Sequence, residues 1–372
     1  MVPSTGNRIP ALDGLRGLAI LGVIALHVSR VLPGAGSSGW GQVAQVGWIG
    51  VDLFFVLSGF LITGVLLDTR DRPGYYRRFY RNRVLRIFPL YYLMVAGVLF
   101  VAPSLLGTVH RPDESAERLS FLLYLPNWRM ALNGGDWTKL HPMLSPFWSL
   151  AVEEQFYLIW PIVVFFARPR TLKVICATGI IGACAARVAA LSLGVAPETV
   201  YVLTPFRFDA LLVGAVLALA VRGHVRLEAR LVTWAAVYFA ALMCVRDLWM
   251  GELVFEDPFV MTIGYSAVAI AFGGLLYRVV TAAPESRVRR VCENRVLRGC
   301  GTISYGLYVF HVPVLSLTMR AIHSLEIAAA VGVAASFVVA TLSWHLVEKQ
   351  ILRYRTGAAV REPIPSTSSA AA

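Results

Sequence analysis

Arg16 and His27 stand eleven positions apart in one apolar run, LDGLRGLAILGVIALHV, residues 12–28. Eleven helical steps make three turns plus roughly 20°, so the two side chains share a face about 16 Å apart along the axis. A neutral imidazole at depth can take a proton from a hydroxyl and return it. Ionisable groups inside lipid are costly and usually mark a pathway or a site. Arg16 also admits a plainer reading, a cation snorkelling to the membrane boundary beside Asp13.

Four further stretches carry polar side chains within apolar surroundings. PFWSLAVEEQFYLIWP (146–161) places Ser149, Glu153 and Tyr157 on one helical face, with Glu154 and Gln155 beside them. ISYGLYVFHVPV (303–314) sets Ser304, Tyr308 and His311 on one face. VGWIGVDLFFVLSGFLITG (46–64) holds Asp52 and Ser58, and TPFRFDALLVGA (204–215) holds Arg207 and Asp209. Each has a structural explanation as well: Asp52 or Arg207–Asp209 as helix-locking ion pairs, Tyr308 as core. By depth, His27, Glu153 and His311 fall at middle or outer levels, with Arg16 below them.

A different chemistry is written in RRFYRNRVLRIFPLYY (77–92). Arg83 and Arg86 are three apart at the mouth of a helix, and guanidinium forks suit phosphate oxygens. Tyr76, Phe79, Tyr80 and Phe88 stand nearby for contact with a ring. Together they suit a phosphorylated, nucleotide-containing ligand. Arg77, Arg78 and Arg81 read more simply as an orientation signal.

The elements that must position these groups are membrane helices. The 372-residue chain is 57% hydrophobic and 15% charged, with mean hydropathy +0.65, too little charge to cover a soluble protein of this size. Apolar runs long enough to span occur near 12–33, 46–68, 86–106, 147–167, 172–194, 204–221, 230–246, 258–278, 299–319 and 325–347. Letting these ten alternate from a cytoplasmic N-terminus puts 24 Lys/Arg on the inner side and 7 outside. An eleventh span at 119–133, broken by Pro126 and Arg129, would invert that balance, so this segment is expected to be re-entrant or interfacial. The expectation is an all-α polytopic bundle of about ten transmembrane helices, both termini cytoplasmic. One membrane domain covers 1–355, followed by a disordered tail, 356–372.

Several classes are disfavoured. The net charge of +12 sits in short inner loops, where orientation and anionic lipid explain it, so no nucleic-acid partner is expected. Cys176, Cys184, Cys244, Cys292 and Cys300 form no C-x-x-C pair, and no disulfide or metal site is expected. The first apolar run contains Arg16 and reads as a retained anchor.

These segments resemble the membrane acyltransferase-3 family of O-acyltransferases. The likeness runs from about residue 8 to 350 through ordered elements: Arg16–His27, GVDLFFVLSGFLI, Arg83-x-x-Arg86, FWSLAVEEQFYLIWP and SYGLYVFHVPV. RFDALLVG and SWHLVEK are weaker matches. The resemblance implies an acyl group, usually acetyl, taken from a cytosolic acyl-CoA and delivered to a hydroxyl at the outer side or within the membrane. It implies His27 as the essential histidine, Arg16, Arg83 and Arg86 as functional arginines, and Glu153 as the acidic position. It carries over Glu154, Asp52, Asp209 and His311 as supporting positions; Asp13, Ser58, Tyr157, Arg207 and Tyr308 join them as supporting candidates from the residue pattern alone. The sequence departs where the last span ends Glu348-Lys349-Gln350 in place of the family's Glu, basic residue and Pro. Some members add an esterase-like domain, for which the residues after the last span leave no room.

The expected mechanism docks the nucleotide end of acyl-CoA on Arg83 and Arg86, with Arg16 near the phosphates or pantetheine, and presents the thioester to His27. There His27 is the general base, oriented by Glu153; an acyl-histidine intermediate is the competing version. No permanently bound cofactor is implied. The acceptor is a hydroxyl of a sugar, polysaccharide, lipid-linked glycan or macrolide. Arginine outnumbers lysine 31 to 3, which points to a GC-rich bacterial genome and a bacterial cytoplasmic membrane. Other classes with such spans are a secondary transporter or a non-catalytic partner in polysaccharide export. Homo-oligomerisation is compatible with all of these.

Overall fold

The computed structural model describes residues 9–34, 38–103, 114–250 and 254–353, with the backbone alone at 247–250. The tail expected at 356–372 lies outside the described residues. Among the described residues every regular element is helical, an all-α bundle as the apolar runs imply.

Eight helical segments among the described residues are long and apolar enough to cross a bilayer. They contain α1 (Pro10–Val31), α2 (Gly39–Gln45) continuing at an intervening turn into α3 (Ile49–Thr69), α4 (Tyr75–Ala96), α7 (Phe147–Phe166), α8 (Pro169–Ser192), α11 (Ala229–Met250), α12 (Tyr265–Thr281) and α16 (Leu325–Ser343). Short helices α9 (Pro197–Val202) and α13 (Arg287–Cys292) lie between these, and a ninth span is α14 (Arg295–Thr302) with α15 (Ser304–Ala321), which bend by 73° at Ile303. The expected span 299–319 therefore starts only at Ser304, with α14 turned aside. The tenth expected span is the 14-residue α10 (Phe208–Val221). At about 1.5 Å per residue it covers about 21 Å, short of a bilayer core. It sits inside the bundle, buried along nearly its whole length. All ten expected segments thus correspond to helices.

Residues 119–133 do not span. They form two short helices, α5 (Glu114–Leu122) and α6 (Pro126–Leu132), broken at Tyr124, whose φ is +56°, and Pro126. Gln155 on α7 holds this segment, donating to the Tyr124 carbonyl at 2.8 Å and to Asn127 at 3.0 Å. Asn127 in turn donates to the Thr204 hydroxyl at 2.7 Å, just before α10. Such bonds let irregular backbone lie at depth, because protein replaces the missing water.

The centre is α1, α3, α10 and α12, whose helices pack closely. Small residues permit it: a Cβ at Gly59 would lie 1.9 Å from the Leu211 carbonyl oxygen, and one at Gly214 2.1 Å from that of Val56. In lipid the driving force between helices is contact and hydrogen bonding rather than water exclusion, so this approach is what aligns α3 with α10. Their two ends are then fastened by ion pairs. Arg207 meets Asp52 at 2.7 Å, and Arg222 grips both oxygens of Asp68 at 2.7 and 2.6 Å. The faces of α8, α11 and α16 turned away from this centre remain largely exposed, as lipid-facing surfaces must be. The last span does not stop at Gln350: after a π turn at Trp344–Glu348 the helix continues through Arg353.

Candidate active site

Two cavities in the bundle have lining residues in common. The first, of about 100 Å³, is lined by Arg16, Arg83 and Arg86 together with Ser58, Glu153 and Tyr308. α1, α3, α4, α7 and α15 each contribute a wall. The three arginines expected to bind the donor are thus neighbours in space, although up to 70 positions apart in the chain.

What holds each of them is specific. Arg16 donates to Asp13 at 3.3 Å, one turn back on α1. The Arg83 guanidinium lies over the Tyr157 ring at 3.9 Å, with the Glu153 and Glu154 carboxylates within electrostatic range. Glu153 accepts from the Ser58 hydroxyl at 2.5 Å, tying α7 to α3. Tyr305, on the same wall, donates to the Ile87 carbonyl at 2.6 Å and so fixes α15 against the helix carrying Arg83 and Arg86. Arg86 is also near Glu348 of the last span.

The second cavity is a vestibule of about 620 Å³ that contains His27. His27 Nδ1 lies 2.8 Å from the Val23 carbonyl oxygen. A carbonyl can only accept, so Nδ1 carries the proton and the lone pair sits on Nε2. His311 backs the ring in an edge contact, centroids 4.9 Å apart. Its own Nδ1 faces the Leu307 and Tyr308 carbonyls at 2.9 and 2.8 Å, and its buried Nε2 has no partner among the described residues. Outside the spans, the buried Tyr201 phenol on the vestibule wall is pushed up to about 12 by desolvation, so it stays a hydrogen-bond donor. Two hydrogen bonds from Thr138 hold the Asp136 carboxyl below the usual range and set the turn whose Trp137 and Thr138 line the vestibule.

The two cavities share Val51 and Tyr308 among their lining residues. Tyr308 is anchored there by hydroxyl bonds to Ser149 at 2.5 Å and to the Pro146 carbonyl at 2.8 Å.

The expected contact between Glu153 and the His27 imidazole does not occur. Glu153 belongs to the arginine cavity and bonds Ser58, while His27 is oriented by a backbone carbonyl and by His311. Helical spacing gave both residues a similar depth but not a bearing around the bundle axis. Asp52, Arg207 and Asp209 take the structural alternative. Asp52 pairs with Arg207, and Asp209 pairs with Arg187 at 2.9 Å, within a network through Ser266. Arg187 was visible only as a lone arginine in an apolar run; its partner lies on another helix. The aromatic residues expected near a nucleotide ring are engaged by the chain itself. Phe88 stacks on Tyr124, Tyr80 donates to the Leu158 carbonyl, Tyr76 packs on Phe165, and Phe79 is buried. Among the described residues no cluster of His, Cys, Asp and Glu is arranged to hold a metal, and all five cysteines are free.

Comparison with known proteins bears on what this pair of cavities does. The acyltransferase-3 family model, described as an acyltransferase domain, matches residues 9–347. The chain is 31% identical over 369 residues to the peptidoglycan O-acetyltransferase OatA of Listeria monocytogenes, covering 92% of this chain and 56% of that protein. It is 33% identical over 376 residues to the putative peptidoglycan O-acetyltransferase YrhL of Bacillus subtilis, covering 92% and 55%. With the O-acetyltransferase OatA of Staphylococcus aureus it shares 28% over 340 residues, covering 82% and 50%. The chain spans about half the length of the curated relatives it matches. No solved structure matches it.

Proposed function

The chain belongs to the acyltransferase-3 family, and from that premise we propose that it transfers an acetyl group from cytosolic acetyl-CoA to a carbohydrate hydroxyl, with His27 as general base. The observation that carries this is that two chemically different cavities share Val51 and Tyr308 in their walls: one is lined by three arginines, the other by an imidazole whose Nδ1 is engaged by the Val23 carbonyl.

In this proposal Arg83 and Arg86 take the phosphates of the donor and Arg16 the phosphates or the start of the pantetheine arm. That arm runs past Tyr308 and brings the thioester carbonyl to His27. His27 Nε2 removes the proton of the acceptor hydroxyl as its oxygen bonds the carbonyl carbon. The tetrahedral intermediate then breaks its carbon–sulfur bond, and His27 Nε2 returns the proton to the leaving thiolate. Val23 keeps Nδ1 protonated throughout, which holds the reacting lone pair on Nε2. Glu153 and Ser58 position Arg83 and the wall of the donor cavity and do not act on the imidazole. The acyl-histidine route uses the same nitrogen as nucleophile.

The carbohydrate class of acceptor is supported by the names of the relatives, and the bacterial cytoplasmic membrane by the apolar helices and the arginine-rich composition. Acceptor-dependent release of CoA from labelled acetyl-CoA by the purified protein in nanodiscs is the test. Labelled acetyl appearing on a saccharide acceptor is the expected result. Folded protein that neither binds acetyl-CoA nor releases CoA would return the chain to the transporter or assembly-partner class.

A further inference from the structure

The His27 vestibule contains a cation that the proposed chemistry does not use. Arg30 follows His27 by three positions on α1, on the same helical face, and lines the same cavity. It is exposed, and its guanidinium lies 5.6 Å from the centre of the Phe255 ring. Other arginines of the bundle have a carboxylate: Arg187 has Asp209, Arg207 has Asp52, Arg222 has Asp68, and Arg246 has Asp257. Among the described residues Arg30 makes no ion pair, although Glu256 lines the same vestibule. A charged side chain that lines a membrane cavity outside any ion pair is available for a ligand's charge.

The wall around it is aromatic. Trp148 and Tyr201 have ring centroids 4.7 Å apart, and Tyr201 and Phe255 4.3 Å, and all three line the vestibule. Trp137 also lines it. Ring faces offer apolar area to the C–H face of a sugar, while Tyr and Trp keep a polar edge for its hydroxyls. A cavity of about 620 Å³ is in the range that encloses a small ligand.

We propose that the vestibule binds a saccharide bearing an anionic substituent, a carboxylate or a phosphate, and that Arg30 pairs with that substituent while the sugar lies on the Trp148–Tyr201–Phe255 wall. This deepens the acyl-acceptor reading and rests on it for the identity of the occupant as acceptor. The planar fork of Arg30 matches either oxyanion in two parallel hydrogen bonds, and Phe255 beneath it restricts the rotamers it must search. Glu256 accepts from neutral hydroxyls. An anion held one helical turn from His27 sets which sugar hydroxyl reaches Nε2, so Arg30 determines regiochemistry as well as affinity.

The test is a binding titration, read by tryptophan fluorescence, on wild-type protein and Arg30→Ala in nanodiscs. Three oligosaccharides of matched length serve as probes: a neutral one, a uronic-acid one and a phosphorylated one. The wild type is expected to bind one charged probe about tenfold tighter than the neutral probe, the effect of one charge-assisted bidentate contact. Which charged probe gains identifies the anion. Arg30→Ala is expected to remove that preference while still binding the neutral probe, which also shows that the vestibule has folded. Equal binding of all three probes by the wild type, or a preference that survives Arg30→Ala, overturns the proposal. Acetyl transfer is measured in parallel: charge-selective binding without any transfer would defeat the enzymatic reading and leave the anion site standing.

Discussion

His311 presents its ring edge-on to His27, with centroids 4.9 Å apart and planes at 80°. The two residues lie 284 positions apart, on α1 and α15, yet both turn Nδ1 to backbone carbonyls of their own helices. The consequence is a base with a fixed tautomer and a fixed backing. His27 meets the vestibule, while His311 is 2% exposed behind it.

His27→Ala is therefore predicted to lower turnover by about 10²–10⁴-fold, the range for loss of a general base, while donor binding persists. His311→Phe, which keeps an aromatic edge, should retain more activity than His311→Ala. Steady-state transfer assays on the three variants check this. Turnover unaltered in His27→Ala would sink both the general-base and the acyl-histidine routes.

Arg83→Ala should weaken acetyl-CoA binding by about tenfold or more, the loss of a hydrogen bond to a charged group. The Tyr157 ring would also lose its cation. Arg83→Lys should recover only part, because an ammonium lacks the fork. Binding of labelled acetyl-CoA at fixed ionic strength measures it. Affinity equal to wild type would remove Arg83 from the donor site.

Ser58→Ala deletes the 2.5 Å bond to Glu153 and should raise the KM for the donor more than the KM for the acceptor. If the acceptor KM moved instead, Glu153 would act towards the vestibule after all. Two-substrate kinetics separate the cases.

Asp52→Leu leaves Arg207 charged and buried without its partner, at an expected cost of about 3–5 kcal/mol. Removing both charges together, Asp52→Leu with Arg207→Met, should be less destabilising than the single change. Thermal unfolding in detergent reads the difference. A double variant as unstable as the single one would argue against an ion pair whose main role is to lock α3 to α10.

Gly59→Leu places side-chain atoms where the α10 backbone stands, since even a Cβ would come within 1.9 Å of the Leu211 carbonyl oxygen. Backbone on both sides cannot yield as a rotamer would, so the variant should fail to accumulate in the membrane. Gly97→Ala, where a Cβ meets nothing within 4 Å, is the matched control and should behave as wild type. Expression and monodispersity compare the two.

The one-dimensional pattern was enough for the helices, because a span is a local property: about twenty apolar residues and a bias of basic loops. All ten segments are helices, and 119–133 is the broken pair that its proline implied. Helical periodicity likewise put Arg16 and His27 on one side of α1, and Arg83 with Arg86 at one mouth. The depth of a residue follows from its place along its own helix. Its bearing around the bundle does not, since that depends on which other helix arrives beside it. Thus only the tertiary structure decided that Arg16, Arg83 and Arg86 share a cavity, that Glu153 joins them and leaves His27 to His311, and that Asp209 belongs to Arg187. The 73° bend at Ile303 and the enclosure of the 14-residue α10 have the same origin. Packing against α1 and α3 overrides what each segment's own composition would predict, because close approach of a neighbouring backbone at glycines fixes where each helix can lie.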